Sequence, residues 1–312
     1  MTYLFAVLAA CANATSSVLQ RKAGRRIPKG QNLSPRLIWS LLHEPVWFGG
    51  VLAVTVGFLL QAAALGSGQL SVVEPILVLE LPATLLLATR VFHSRLHRRE
   101  WGSAAAMAAG LAAMLYALSP SGGRPEDVRW YAWVTGIGVN LAFVAAMVAW
   151  GRRGPAGHGP HSDQSSALQA ALLAVGAGAA FGLTAALIKG MTSAYSHGMA
   201  ALFSSWQLYA MVAAGIGAMF LVQSAMNAGR LVAAQPGLTL TDPIVSILWG
   251  VLVFREQGRT GWFLALTVGG GLVMAGAVLV LARSPLLLSG ESGQREQPDE
   301  DPARDAARSG RR

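Results

Sequence analysis

Nine apolar segments, each close to the length of a membrane-spanning helix, constrain this chain more than any other feature. A helix needs about 20 apolar residues to cross a hydrocarbon core roughly 30 Å thick. Only 12% of the 312 residues are charged, against roughly 25% in a typical soluble domain. Because the segments lack the period-two alternation of a membrane barrel, the sequence predicts an all-α, polytopic membrane protein. The predicted spans cover 2–20, 46–65, 69–91, 101–119, 130–150, 167–189, 204–226, 230–253 and 260–282.

Lysine and arginine are distributed unevenly among the loops between these spans. With an external N-terminus, 19 of the 24 Lys and Arg residues fall on the internal side of the membrane. Cytoplasmic loops carry an excess of these residues, so the sequence predicts a multi-pass protein of the cytoplasmic (inner) membrane with its C-terminus inside. We interpret the basic clusters as topology determinants and expect no nucleic acid as a partner. The five external residues are Arg124, Arg129, Lys189, Arg255 and Arg259.

The C-terminal residues 284–312 differ in composition from the rest of the chain. They contain no aromatic residue and mix acidic side chains with arginines. Segments of this composition cannot bury enough apolar surface to fold. The sequence predicts a disordered cytoplasmic tail, with a regulatory or partner-binding role as the alternative.

The second half of the chain repeats the first. A shift of 161 residues aligns 75–118 with 236–279 without a gap. Each copy holds four spans, and span 5 lies between them, so the second copy must begin on the opposite side of the membrane. Inverted repeats of this kind are the architecture of many secondary transporters. The predicted organisation is a first four-span repeat over 1–119, connecting loops with span 5 over 120–166, a second, inverted repeat over 167–283, and the tail over 284–312.

Each repeat carries two prolines seven residues apart, Pro75 and Pro82 in the first and Pro236 and Pro243 in the second. A proline inside a helix removes a backbone hydrogen bond and bends or breaks the helix. Interrupted segments at corresponding positions of two repeats indicate a binding site near the membrane midplane. We therefore expect helix breaks at both proline pairs, with the substrate site between them.

Three carboxylic acids lie within the apolar segments that contain these prolines. Glu80 and Asp242 are near the middle of spans 3 and 8, and Glu74 is six residues before Glu80. An acid at the centre of a membrane helix costs about 2.5–3.5 kcal/mol on insertion scales, so it usually faces a cavity, a partner or an ion path. The sequence predicts that Glu80 and Asp242 border a shared central cavity. The alternative is that the acids are protonated or serve as hydrogen bonds between helices.

Several other polar residues within the spans are candidates for substrate or proton binding. Taken singly, each is more typical of helix–helix hydrogen bonding than of a ligand site. Snorkelling to the membrane interface is slightly favoured for Lys189, at the end of span 6. The spacing of Gly178 and Gly182 predicts close approach of another helix. The candidates are Gln61, Gln223, Gln235, Asn13 and Lys189, and Gln61 aligns with Gln223 between the repeats.

No pattern in the sequence is typical of an enzyme. The six histidines and the single cysteine lack the spacing of a metal site. The glycine-containing stretches do not open a βα unit, so they are not nucleotide-binding fingerprints. We expect no catalytic residues, no metal and no cofactor.

Diffuse motifs across 1–282 resemble the bacterial drug/metabolite transporter superfamily, which contains the EamA-type permeases. They are "ANATSSVLQRKAG", "SVVEPILVLELPATLLLATRVF" and, in the second copy, "AAQPGLTLTDPIVSILWGVLVFRE". That superfamily usually has ten spans in two inverted halves, whereas this chain has nine. The nine-span layout, with "SSVLQRKA" after span 1, is similar to the NIPA-type magnesium transporters of the same superfamily.

The resemblance and the repeat together favour secondary transport, with a small-molecule or cation substrate and the lipid bilayer as partners. The first hypothesis is a transporter of a small metabolite or cationic compound, coupled to protons and working by alternating access. The second is a transporter of divalent cations such as Mg²⁺. A non-transporting membrane scaffold is the third. Either a monomer or a homodimer fits the sequence.

Overall fold

In a computed structural model of the chain, helices occupy all nine predicted spans. The part of the chain that the structure describes contains nine helical segments long and apolar enough to cross a membrane. The prediction of an all-α, polytopic membrane protein is therefore confirmed. The predicted tail over 284–312 and most of the basic loop over 21–45 lie outside the described residues. These are 1–24, 45–92, 98–118, 120, 122–123, 125–152, 162–228, 231–259 and 261–282.

Long helices form because a backbone in lipid must satisfy its polar groups within the segment. Two short segments that do not span the membrane lie between them: a 3₁₀ turn at Pro125–Asp127 and a short helix, α8, at Met199–Ser204. The spanning helices are α1 (Thr2–Gly24), α2 (Pro45–Ser67), α3 (Leu70–Leu77) with α4 (Glu80–Phe92), α5 (Arg98–Leu118), α6 (Trp130–Arg152), α7 (Ser162–Tyr195), α9 (Trp206–Ala228), α10 (Leu231–Leu248) with a π-helical turn (Trp249–Val253), and α11 (Trp262–Ala282).

Contacts between turns define one end of the helix bundle, which we call the Thr2 end. There, Thr2 Oγ1 donates to the carbonyl oxygen of Ser67 at 2.9 Å, and Ser193 Oγ donates to Glu126 Oε1 at 3.1 Å. These bonds join the start of α1 to the end of α2, and the end of α7 to the 3₁₀ turn. The chain enters at this end and, after nine crossings, leaves at the opposite one.

Span 3 is broken where its two prolines predict. The helices α3 and α4 are separated by a two-residue turn, Val78–Leu79. Since Pro82 has no N–H, the carbonyl of Val78 loses its usual helical partner. The N–H of Leu81 donates to that carbonyl at 3.1 Å instead. This tighter turn places Glu74 and Glu80 on two different short helices.

The matching segment of the second repeat has no such break. Helix α10 continues through Pro236 and Pro243 and changes to π-helical geometry only at Trp249–Val253. The helix α7 supports α10 along this stretch, because Gly178 and Gly182 let the two backbones pack directly together. The expected helix break is thus present in the first copy and absent from the second.

The packing of helices follows the two repeats. In the first repeat α1 packs along α2, and in the second α7 packs along α9 in the same way. Between the repeats, α5 packs along α11 and α3 packs on α10. The first and last helices of each four-span unit therefore play corresponding roles, and spans 3 and 8 meet in the interior.

The crossing of α5 and α11 is reciprocal. A Cβ added to Gly110 would lie 2.7 Å from the carbonyl oxygen of Gly270 and 3.0 Å from the N atom of Met274. A Cβ added to Gly270 would lie 2.6 Å from the carbonyl oxygen of Gly110 and 2.9 Å from the N atom of Met114. This reciprocal contact is what a local two-fold between α5 and α11 would produce; that the repeats are inverted stays a prediction.

The contact of α7 with α10 leads to a first prediction, that Gly178→Ala destabilises the protein by about 1–3 kcal/mol through overpacking. A Cβ at Gly178 would lie 2.7 Å from the carbonyl oxygen of Leu238 and 3.1 Å from the backbone N of Asp242, so backbone must move. Thermal unfolding in detergent measures the loss. The matched control is Gly217→Ala on α9, where a Cβ would meet nothing within 4 Å. Equal melting temperatures for the two variants would contradict the direct backbone contact.

Candidate functional site

The buried carboxyl group of Glu74 lies on α3, in the interior between the repeats. The residue is only 3% exposed, and Gln61 Nε2 of α2 donates to Glu74 Oε1 at 3.0 Å. The start of span 3 is buried on all sides, which fixes α3 and its acid within the bundle. Gln61 and Glu74 therefore form a polar unit in an apolar environment.

The second acid of the interior, Asp242, lies on α10 of the other repeat. Asp242 is half-buried, and α10 packs on α3, the helix that carries Glu74. The hydroxyl of Ser246, one turn along α10, lies 3.5 Å from Asp242 Oδ1. The contact of α3 with α10 thus places one acid from each repeat on two helices that pack together in the interior.

The third acid, Glu80, faces a different helix. It begins α4 and is half-buried, and Ser17 Oγ of α1 donates to Glu80 Oε1 at 3.3 Å. Asn13, one turn earlier on α1, is also within hydrogen-bonding reach of Glu80. The structure therefore places Glu80 beside Asn13 and Ser17 of α1, whereas Asp242 lies on α10, which packs on the helix of Glu74. That Glu80 and Asp242 border one cavity stays a prediction.

The remaining predicted residues are spread over the bundle. Gln223 is exposed on α9, so it does not occupy the position that its alignment with Gln61 suggests. Gln235 lies within α10, but its side chain is outside the described residues. The prolines flank the acids: Pro75, Pro82 and Pro243 are buried, and Pro236 is half-buried.

Lys189 does not snorkel to an interface, which corrects the interpretation slightly favoured from the sequence. It is 4% exposed and forms an ion pair with Glu256, with 3.1 Å between Lys189 Nζ and Glu256 Oε1. Lys189 Nζ also donates to the carbonyl oxygen of Gly68 at 2.6 Å. A buried ammonium needs such partners, because isolated charge in a low-dielectric interior is unfavourable.

Glu256 is the functional candidate that the sequence analysis missed. Its carboxylate receives the backbone N–H groups of Leu70 at 2.8 Å and Ser71 at 3.1 Å, and also the hydroxyl of Ser71. These N–H groups begin α3 and have no partner within the helix, so a carboxylate there is favourable. Glu256 follows span 8 in a short loop, and no local pattern marks an acid in such a loop as buried.

An aromatic cluster packs beside this ion pair at the Thr2 end. The rings of Trp133 and Trp249 have centroids 5.6 Å apart, and those of Trp133 and Phe254 are 5.5 Å apart. Trp206 meets Trp133 edge-on at 5.3 Å. Lys189 Nζ lies 5.7 Å from the centre of the Phe254 ring, within the range of a cation–π contact. The cluster excludes water from one side of the charged pair.

A separate apolar groove of about 740 Å³ lies between α6 and α10. Its walls include the exposed side chains of Val139, Ile244 and Leu252. Asn140 of α6 also lines it; its Nδ2 donates to the carbonyl oxygen of Ala179 at 3.3 Å. Exposed apolar side chains on a spanning helix face lipid tails, so acyl chains can fill this groove.

The described residues contain no group of three or more His, Cys, Asp and Glu side chains that could hold a metal ion.

Comparison with known proteins gives one informative match. No family model matches the chain, and no solved structure matches it. The chain is similar to an uncharacterized protein of Corynebacterium glutamicum, with 28% identity over 294 residues that make up 93% of this chain and 97% of that protein. The similarity extends over nearly the full length of both proteins and names no activity.

Proposed function

We propose that the chain is a secondary active transporter that moves a small metabolite or cationic compound across the cytoplasmic membrane. The observation that carries this proposal is that α3 and α10, one helix from each repeat, pack together in the interior and each carries an acid there, Glu74 and Asp242. Ionisable residues inside a membrane are costly and usually mark a substrate or ion path. A position between inverted repeats is where such transporters bind their substrates.

The chemistry of two neighbouring carboxyl groups suggests the coupling. In this proposal the two acids, one from each repeat, bind the coupling proton. A cationic substrate that enters the site would replace that proton. Gln61, which donates to Glu74, would orient the first carboxyl group in either state. Exchange of a proton for a substrate at one site, with the two repeats moving about it, is alternating access.

Membership of the drug/metabolite transporter superfamily is part of this proposal. The proposal is supported by the reciprocal contact of α5 with α11 and by the hydrogen bond from Ser17 to Glu80, which joins polar residues of two of the motifs. We propose no enzymatic activity, no cofactor and no nucleic-acid partner. The protein would work as a monomer or a homodimer within the bilayer.

A Mg²⁺ transporter of NIPA type is the second candidate, because the same two carboxyl groups could bind a divalent cation. Magnesium sites usually combine one or two carboxylates with several water molecules. The pair Glu74 and Asp242 supplies that number of acids, so a hydrated ion at the repeat interface is chemically reasonable. The two candidates differ in whether a proton moves in exchange.

Flux into vesicles separates these candidates. The purified protein would be placed in liposomes that contain a pH-sensitive dye and a Mg²⁺-sensitive dye, and exposed to neutral amino acids, basic amino acids, ethidium and MgCl₂ in turn. We expect an organic solute to drive proton movement above the rate in protein-free liposomes. Mg²⁺ entry without proton movement would favour the second candidate. No flux with any of these solutes would favour a scaffold and contradict the proposal.

The proposed orientation gives a second prediction. The division of basic residues places the Thr2 end outside and the end of α11 inside the cell. In intact cells, a membrane-impermeant reagent should therefore label a tag before Thr2 and should not label a tag after residue 312. After the cells are broken open, both tags should react equally. Labelling of the C-terminal tag in intact cells would reverse the orientation.

A further inference from the structure

A polar vestibule of about 430 Å³ opens at the Thr2 end between the two repeats. Its wall is formed by the α2–α3 turn, the 3₁₀ turn and the last turns of α7. Polar side chains dominate this wall, in contrast to the apolar groove between α6 and α10. They include Ser67, Gln69, Glu126, Lys189, Thr192 and Ser193.

The ion pair of Lys189 with Glu256 lies where this vestibule meets the interior. Lys189 lines the vestibule and is nevertheless 4% exposed, while Glu256 is 2% exposed. Glu74, one of the two acids of the proposed substrate site, lies on α3 one turn beyond the N–H groups that Glu256 binds. The ion pair therefore stands between the aqueous vestibule and the proposed substrate site.

The hydrogen bonds that Lys189 and Glu256 form with the α2–α3 turn and the start of α3 connect one repeat to the other. Lys189 on α7 and Glu256 after α10 belong to the second repeat, and their partners Gly68, Leu70 and Ser71 belong to the first. Movement of the repeats against each other must break these bonds together. A buried ion pair is a poor way to gain stability, because apolar residues of similar size often do as well or better. The position of this ion pair between the two repeats is better explained if the pair breaks when the repeats move apart.

The backbone on both sides of the contact is held outside helical geometry. Gly68 lies in the turn between α2 and α3, and Arg255, directly before Glu256, has a φ of 56°. A residue other than glycine rarely adopts that left-handed conformation, and such conformations gather at sites that switch. The carboxylate of Glu256 is thus presented to α3 by a short loop rather than by a rigid helix.

Building on the proposed transport function, we propose that the Lys189–Glu256 pair is the closed gate of a water-filled substrate path whose mouth is this vestibule. The path selects small, water-soluble solutes, polar or charged, because its mouth is lined by hydroxyl, amide and charged groups. The apolar groove between α6 and α10 is not the entry route; it faces lipid. The structure is the conformation closed at the Thr2 end.

A disulfide across the vestibule can lock the gate. A Cβ added to Gly66 on α2 would lie 3.3 Å from Thr192 Cβ on α7, close to the roughly 3.5–4.5 Å between Cβ atoms in disulfides. The experiment uses Gly66→Cys/Thr192→Cys with Cys11→Ser, which removes the natural cysteine. We expect the pair to oxidise readily in the resting protein. A pair that stays reduced under oxidant would contradict the closed geometry.

Hydrogen exchange at the amides of Leu70 and Ser71 reports the gate without any solute. Their N–H groups are bound by Glu256 alone, so they exchange when the gate opens. Oxidation of the cysteine pair should slow this exchange at least about tenfold, since local opening sets its rate, and dithiothreitol should restore it. Lys189→Met should speed it by a similar factor. Amides of α5 should not change in any of these proteins, which separates gate opening from general unfolding.

The control is Glu126→Gln, which removes an exposed acid from the same vestibule without touching the ion pair. Its exchange at Leu70 and Ser71 should match the wild type. Unchanged exchange in both the oxidised pair and Lys189→Met would show that the ion pair is a fixed structural contact and would overturn the gate.

Solute flux completes the test. For any water-soluble solute that the wild type transports, flux should stop when the cysteine pair is oxidised and resume after the pair is reduced. Continued flux through the oxidised protein would overturn the proposed path. If exchange responds as expected and no solute moves in the wild type, the gate stands and the transport function fails, so the two failures are distinguishable.

Discussion

Replacing Glu74 by glutamine is expected to stop proton-driven solute flux while leaving the protein folded and inserted. Glutamine keeps the size of the side chain and can still bond Gln61, but it cannot bind or release a proton in the working range. The buried acid lies on α3, which packs on the helix of Asp242, so its loss removes half of the proposed proton site. Flux in liposomes with an imposed pH gradient measures the effect, and we expect the rate of protein-free liposomes.

Flux in three further single variants should be compared with that of Glu74→Gln. Asp242→Asn should behave like Glu74→Gln, since it removes the other acid of the pair. Glu80→Gln should have a smaller effect, because Glu80 is half-buried and contacts Ser17 of α1. Asp127→Asn, at an exposed acid that does not line the vestibule, should leave flux unchanged. Full pH-driven flux in the double variant Glu74→Gln/Asp242→Asn would show that these acids only hold helices together.

Breaking the ion pair of Lys189 and Glu256 should cost the closed conformation more stability than removing both charges. Lys189→Met leaves a buried carboxylate without its ammonium partner, and such a change costs about 3–5 kcal/mol. Glu256→Gln leaves a buried ammonium beside the Gly68 carbonyl and should be similarly unfavourable. The double variant should recover part of the loss, since no buried charge remains. Unfolding of all four proteins in detergent provides the double-mutant cycle.

The size of the coupling energy decides this prediction. If the losses of the two single variants add in the double variant, the two charges do not interact and the pair is not a unit. A second cycle with Glu126→Gln in place of Glu256→Gln serves as control, because Glu126 bonds Ser193 and is exposed. That cycle should be additive.

The number and position of the spans could be predicted from the sequence because hydrophobic length alone decides them. Nine apolar segments were predicted, the described residues contain nine helices long and apolar enough to span a membrane, and the break between spans 2 and 3 was placed correctly near Gly68. Helix geometry inside the bundle was less predictable. Pro82 breaks span 3, yet Pro243 at the aligned position leaves α10 continuous, because Gly178 and Gly182 bring α7 against it. Such support comes from distant residues and leaves no local pattern.

The choice of acid shows a second limit. Glu74 and Glu80 are six residues apart, which places them about 120° apart around a helix at 3.6 residues per turn. Sequence position favoured Glu80 because it is nearer the middle of the span. The depth of a residue in the membrane does not indicate which face of its helix contacts the other repeat. In the structure Glu74 lies on α3, which packs on α10, and Glu80 faces α1.

The partner of Lys189 could not be found from the sequence either. Glu256 lies 67 positions later in a loop that also carries Arg255 and Arg259, so the segment resembles an ordinary charged connection. Only the folded chain brings this loop against the start of α3, where two free N–H groups need an acceptor. Long-range pairing of single charges has no periodic signal in a sequence.

The measurement that tests the central claim most directly follows solute and protons in the same liposomes, for the wild type and for Glu74→Gln/Asp242→Asn. With a pH gradient as the only driving force, the wild type should move an organic solute against its concentration gradient while protons move the other way. The double variant should do neither. Solute movement without any proton movement in the wild type, or equal coupled movement in the double variant, would contradict proton-coupled transport through the pair of acids.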